Sequence, residues 1–201
     1  MTPEDVLSFW FGELDASGRA DDVHRKQWFA SDPAFDEEIR RRFEALHEEI
    51  AGGGHGDWRT SDRGLLAAIV VLDQFSRNMF RGTAKAFAAD PLAQELAHAA
   101  VAAGADRRAR YDERGFLYLP FTHAEDLALQ NEAVGLFESW AAELSPSQAD
   151  GALTQLRYAV MHRDIVARFG RFPHRNKALG RESTPDEQAF LSERKSGFGQ
   201  A

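Results

Sequence analysis

The chain has no cysteine among its 201 residues, which excludes disulfide staples, thiolate metal sites and a cysteine nucleophile. Long apolar runs are missing too. The longest, Leu65–Leu72, falls far short of the ~20 residues that carry a helix across a bilayer. The opening Met1-Thr2-Pro3-Glu4-Asp5 holds two acids where a secretory signal would place basic residues before an apolar stretch. A cytoplasmic location with no membrane partner is therefore expected.

Positive charge is in short supply: 24 Lys and Arg stand against 32 Asp and Glu, a formal net charge of −8. That balance opposes the broad positive field needed to bind nucleic acid, so no nucleic-acid partner is expected. Turn pairs such as Asn-Gly between alternating apolar residues do not occur, which removes the usual hairpin signal. Glycine-rich phosphate loops, a Gly-x-Ser-x-Gly elbow and nucleotide fingerprints are absent, so no cofactor is expected. No internal period near 34 residues is found.

What remains is ordinary globular material, with 43% hydrophobic and 28% charged residues. A chain of this size buries roughly 70% of its unfolded surface in one core. The spacing predicts helices throughout. Thr2-Pro3 caps a short one carrying Phe9 and Trp10, and His24–Phe29 adds one or two turns. After Asp32-Pro33, residues Phe35, Ile39, Phe43, Leu46 and Ile50 recur at helical steps. The opposite face, with Asp36, Glu37, Arg40 and Glu44, is expected to be solvated. Leu65–Leu72 is apolar all round and so belongs to a buried central helix.

Further helices are expected over 90–103, from Tyr111 to just before Pro120, from a cap at Thr122 to about Leu144, from Ser145-Pro146 to Phe169, and after Thr184. The expectation is an all-α fold of about eight or nine helices in a single domain over residues 1–201, with 192–201 as a frayed tail.

Three polar stretches interrupt this pattern. The first follows the buried helix: Asp73, Gln74, Arg77, Asn78 and Arg81, at spacings that put neighbours on one helical face. Unpaired, such groups are costly to bury, so they either satisfy one another or line a cleft. The second is Thr122-His123-Ala124-Glu125-Asp126, where Thr122 and Glu125 have capping-box spacing. His123 and Asp126 then sit by a helix N-terminus, where His123 is a candidate general acid or base.

The third is Arg168–Asn176, in which Arg168, Arg171, His174, Arg175 and Asn176 occur without one acid. Arginine forks bind carboxylates and phosphates, yet the same groups can brace helix ends and buried acids. His162 lies between Tyr158, Ile165 and Phe169 on a helical face, as a core histidine or a second base, and Asp164 has i, i+4 spacing to Arg168. Adjacent arginines and the lack of a ligand spacing argue against a metal site.

Taken together, Asp-Gln-Phe-Ser-Arg-Asn-Met-Phe-Arg-Gly (73–82), Leu-Pro-Phe-Thr-His-Ala-Glu-Asp (119–126) and Arg-Phe-Gly-Arg-Phe-Pro-His-Arg-Asn (168–176) resemble the bacterial domain-of-unknown-function family 924. The resemblance runs from Val6 to the helix after Thr184. It implies an all-helical domain of the tetratricopeptide-like superfamily and brings no established activity. Ala124 stands where the family commonly has serine, which removes any hydroxyl role at that position.

Three functions follow as expectations. The leading one is a cleft binding an anionic small molecule or acidic peptide through Asp73, Arg77, Asn78, Arg81, Arg168, Arg171, His174, Arg175 and Asn176. The second is a hydrolase or transferase in which His123 or His162 is the base, with Asp126 or Asp73 beside it. The third is a helical scaffold whose polar residues only brace the core.

Overall fold

Leu65–Leu72 lies at the centre of the molecule. In the computed structural model, which describes residues 1–193, none of its side chains is more than 5% exposed. In chain order the helices are α1 (Pro3–Phe11), α2 (Asp22–Gln27), α3 (Pro33–Ala51), α4 (Asp62–Ile69), α5 (Ser76–Met79), α6 (Asp90–Ala102), α7 (Ala105–Arg108), α8 (Tyr111–Thr122), α9 (Leu127–Glu143), α10 (Asp150–Phe169) and α11 (Pro185–Glu193). Short 3₁₀ turns occupy Gly56–Thr60, Ala84–Phe87 and Pro173–Arg175. Among the described residues there is no strand, and the fold is all-α.

α4 and α5 are one continuous axis joined by a π-helical turn, Val70–Phe75. Around that axis pack α1, α3, α6 and α8. Their apolar positions meet there: Phe9, Trp10 and Phe11 of α1 contact Phe35, Phe43, Phe75 and Phe116 ring to ring. Trp28, just past α2, donates its indole N–H to the Trp10 carbonyl at 2.7 Å and so pins the loop before α3. α8, α9 and α10 form a second layer, with α9 packed between its neighbours. Their short connections reverse the chain twice, so α8 and α10 point the same way.

Several boundaries differ from the sequence expectations, each for a local reason. α8 does not stop before Pro120. Proline removes only its own N–H, and the carbonyls of Thr122 and Ala124 at the helix end are taken by the buried Gln130 amide at 2.7 Å each. Thr122 is not a cap: its hydroxyl donates back to Leu119 O at 2.8 Å. α9 begins instead at Leu127, capped by Asp126, which accepts the N–H groups of Ala128 and Leu129 at 2.8 and 3.0 Å. α10 starts at Asp150, because Ser145 O accepts from Gln148 and Ala149 in a preceding turn. Residues 192 and 193 belong to α11; the rest of the expected frayed tail, 194–201, lies outside the described residues.

Candidate functional site

A π turn holds one residue more than an α turn and so advances the following side chains by about 100° around the axis. Here it carries Asp73 and Gln74. It turns the axis from an all-apolar core helix into one with a polar wall, just before Arg77 and Asn78. Asp73 is 1% exposed, and a lone carboxylate could not be held there. It is met from three sides: His123 donates from Nδ1 at 2.7 and 3.0 Å to the two oxygens, Gln74 donates its amide, and Arg77 Nη1 lies 3.0 Å away.

The network continues outward. Arg77 also donates to both oxygens of Asp90, at 3.0 and 3.1 Å. Arg175 donates to Asp90 at 3.3 Å and to the His123 carbonyl at 3.0 Å. Its guanidinium is sandwiched between Phe87 and Phe172, 4.5 and 4.6 Å from the ring centres, while its buried Nε has no hydrogen-bond partner. Burial, followed by the nearby Arg77 charge, pulls the Arg175 pKa down to about 10; at neutral pH it is still a cation. Two carboxylates thus face two guanidiniums, and the cluster is close to neutral.

That balance sets the state of the dyad. Burial alone would raise the Asp73 pKa, but Arg77 and His123 outweigh it and hold the group as a carboxylate. His123 is shifted the other way from a simple ion pair. Burial, and then the Arg77 charge, push its pKa below the ordinary histidine value despite Asp73. The result is a neutral imidazole whose Nδ1 proton points at Asp73, leaving the Nε2 lone pair as the basic position.

The His123 ring faces a cleft of about 720 Å³. Its polar lining includes Gln74, Arg77, Asn78 and Arg81, with His123 and His162. Its apolar lining includes Trp28, Phe29, Leu119, Tyr158 and Met161. Phe29 and Tyr158 stand at its mouth, 59% and 52% exposed. His162 is not a core residue as its apolar neighbours suggested. Its Nδ1 donates to the Tyr158 carbonyl at 2.7 Å, and its ring lies 6.4 Å from that of His123 and 5.5 Å from that of Phe172, which forms a small apolar cluster with Ile165 and Phe169.

The structure therefore brings the first polar stretch and His123 together with His162, and keeps most of the third stretch out. Arg175 reaches the dyad from behind, through Asp90 and the His123 backbone. Arg171 pairs with Glu187 at 2.7 and 2.8 Å, and Asn176 donates to Ser183 and Glu187. His174 lies against Phe172. Arg168 is exposed over the Phe169 ring, and Asp164 pairs with Arg163 at 2.6 Å instead of with Arg168. Asp126 is an exposed helix cap and does not line the cleft. Glu125 makes no capping box; it accepts Arg181 at 2.6 and 2.8 Å and the Phe172 N–H at 2.7 Å.

Sequence reasoning missed several partners. Asp36, read as part of a solvated face, accepts Asn78 at 2.7 Å and Arg81 at 2.8 and 2.9 Å. Asp90, read as a helix start, is the hub between Arg77 and Arg175. Neither carries a local signal, since each is far in sequence from its partners. Each of Arg77, Arg81, Arg171 and Arg175 consequently has a carboxylate partner, so the cationic excess expected from the sequence is neutralised within the protein. Among the described residues no cluster of three or more His, Asp and Glu is arranged to hold a metal ion, and no helix is long and apolar enough to cross a membrane.

Comparison with known proteins agrees with this fold. A solved structure of a protein of unknown function from Agrobacterium tumefaciens, ATU0120, is 39% identical with a TM-score of 0.81, covering 96% of this chain and 97% of that one. No curated protein matches. The model of a family described as bacterial proteins of unknown function, DUF924, matches residues 6–195. By that match and by its likeness to the Agrobacterium structure, the chain belongs to the bacterial family of unknown function DUF924.

Proposed function

We propose that the cleft binds a small molecule and that His123, oriented by Asp73, takes a proton from that molecule or from a water beside it. The observation that carries this reading is the Asp73–His123 pair at 2.7 Å, with the imidazole ring on the cleft wall. A carboxylate on Nδ1 fixes the tautomer, orients the ring and stabilises the imidazolium formed when Nε2 accepts a proton. Held neutral by burial, the histidine is in its basic form at physiological pH. Arg77 and Arg81 on the same wall would face negative charge developing on the substrate, in a site partly shielded from water.

The same pairing argues against a highly charged ligand. Arg77 and Arg81 already face carboxylates, so a neutral or singly charged molecule with a hydrogen-bonding head and an apolar body suits the mixed lining of the cleft better. A purely bracing role predicts closed, fully paired side chains, whereas this wall opens onto a cavity of ligand size.

The test is a hydrolase screen over chromogenic esters, amides and lactones, run on wild type, His123→Ala and Asp73→Asn. A genuine turnover should fall by about 10²- to 10⁴-fold in His123→Ala, with the helical circular dichroism kept and ligand binding retained. Turnover that is indifferent to His123 contradicts the general-base reading.

A further inference from the structure

A second cavity, of about 300 Å³, opens beside the first and shares Trp28, Phe29, Leu119, Thr154 and Gln155 with it. The two lie in line along the same helix faces. On α8, Gly115, Leu119 and His123 are four residues apart and lie along one face. Gly115 lines the side lobe, Leu119 both, and His123 the main lobe. On α10, which runs in the same direction, Gly151, Thr154, Tyr158 and His162 follow at steps of three, four and four and likewise share a face. At 1.5 Å of rise per residue, the distance from residue 115 to residue 123 is about 12 Å.

The side lobe is walled by the rings of Tyr111, Phe116 and Trp140. Three of its four charged residues have partners: Arg19 stacks 3.7 Å over Tyr111 and donates to Gln148 O, Arg25 pairs with Asp22, and Asp112 accepts the Ala20 N–H at 2.7 Å; the fourth, Asp150, is exposed. With Tyr111 covered by Arg19, the lobe has the Phe116 and Trp140 rings to offer an occupant. An apolar cavity of about 150 Å³ already admits benzene.

Gly115 lines that lobe at a position where a side chain would be sterically allowed. Glycine inside a helix is unfavourable relative to alanine, and here neither a positive φ nor crowding demands it. A Cβ at 115 would meet only Trp140 ring atoms at 3.8 and 3.9 Å, ordinary contact. Gly151, across the lobe, differs: its Cβ would come within 2.7 Å of the Tyr111 hydroxyl. What a side chain at 115 would fill is the lobe itself.

Resting on the proposed role of the main cleft, we infer that the substrate is an elongated molecule with a hydrogen-bonding head and an apolar tail. Its polar head lies at His123 and its aryl-ended or medium-length acyl tail passes Leu119 into the side lobe. Gly115 keeps the lobe open and so sets the tail the protein accepts.

Nuclear magnetic resonance titrations with butyramide and 6-phenylhexanamide test this on wild type, Gly115→Leu, Gly115→Ala and Thr154→Phe. In wild type the long amide should bind at least about tenfold tighter, from burial of the added tail, and should shift signals of residues 115 and 123 together. In Gly115→Leu the ratio of the two affinities should fall to about one. Thr154→Phe narrows the shared wall from the rim and should reduce the same ratio should Gly115→Leu fail to fold, while Gly115→Ala should fold and melt higher than wild type. Equal affinities in wild type, or a gain that survives both filling variants, overturns the tail pocket while leaving the main cleft standing. Failure of both amides to bind overturns the cleft reading and the tail pocket with it.

Discussion

Two polar clusters lie on either side of Phe172, and they differ in where their pairing ends. Around Glu125 and Glu187, every strong donor closes on an internal acceptor: Arg181 and the Phe172 N–H on Glu125, Arg171 on Glu187, and Asn176 on Glu187 and Ser183. This cluster ties α11 and the Pro173–Arg175 turn to the end of α8. Around Asp73 the pairing is as dense but stops at His123, whose second nitrogen is left on the cleft side. The richest run of basic residues in the sequence is thus divided, with Arg171 and Asn176 in the clasp, Arg175 behind the dyad and Arg168 exposed, and the candidate site lies where an acid-paired histidine meets a cavity.

Substitutions in the two clusters should have unequal effects. The largest effect is expected from Arg77→Ala, which leaves Asp73 and Asp90 buried without their shared cation. Loss of a buried partner costs about 3–5 kcal/mol, measurable as a lowered denaturant midpoint, and His123 should then titrate higher because the Arg77 charge no longer opposes its protonation. Glu125→Ala should cost about 2 kcal/mol, the scale of lost hydrogen bonds to a charged group. In that variant the ligand titration of the cleft should hardly change, because the clasp does not line it.

Acidification comes next. His123 and His47 are both kept below the ordinary histidine pKa by burial. Their contribution to stability is intact above about pH 6.5 and is lost as the pH falls from there through their native values, because the unfolded chain takes up protons first. Thermal melts between pH 7.5 and 5 should fall by up to about 1.4 kcal/mol per pH unit for each histidine. The smallest effect is expected from Asp126→Ala: about 1 kcal/mol for a lost N-cap, with no change in turnover. A catalytic loss there would place Asp126 in the site after all.

The fold was largely legible because helical spacing and capping are local. Phe35 to Ile50, the apolar run at 65–72 and the stop at Gly170 are each readable within a few turns. The π turn was not, since nothing in Val70–Phe75 distinguishes it from an ordinary helix. For the site, Asp73, Arg77, Asn78, Arg81, His123 and His162 could be picked out as polar residues in apolar surroundings. What the spacing could not supply was the pairing. Asp36 and Asp90 are 42 and 13 residues from Asn78 and Arg77, and Arg181 and Glu187 lie beyond the basic run they complete. The sequence shows where the cations are concentrated but not which carboxylates the fold sets against them.

The claim that His123 is a base held ready by Asp73 is tested most directly by nitrogen-15 resonance of its imidazole across a pH titration. The account predicts an Nδ1-protonated neutral ring that titrates below 6.5, with an Nε2 signal that moves when a ligand enters the cleft. A ring protonated at Nε2 when neutral, or one that titrates above 6.5, would contradict it.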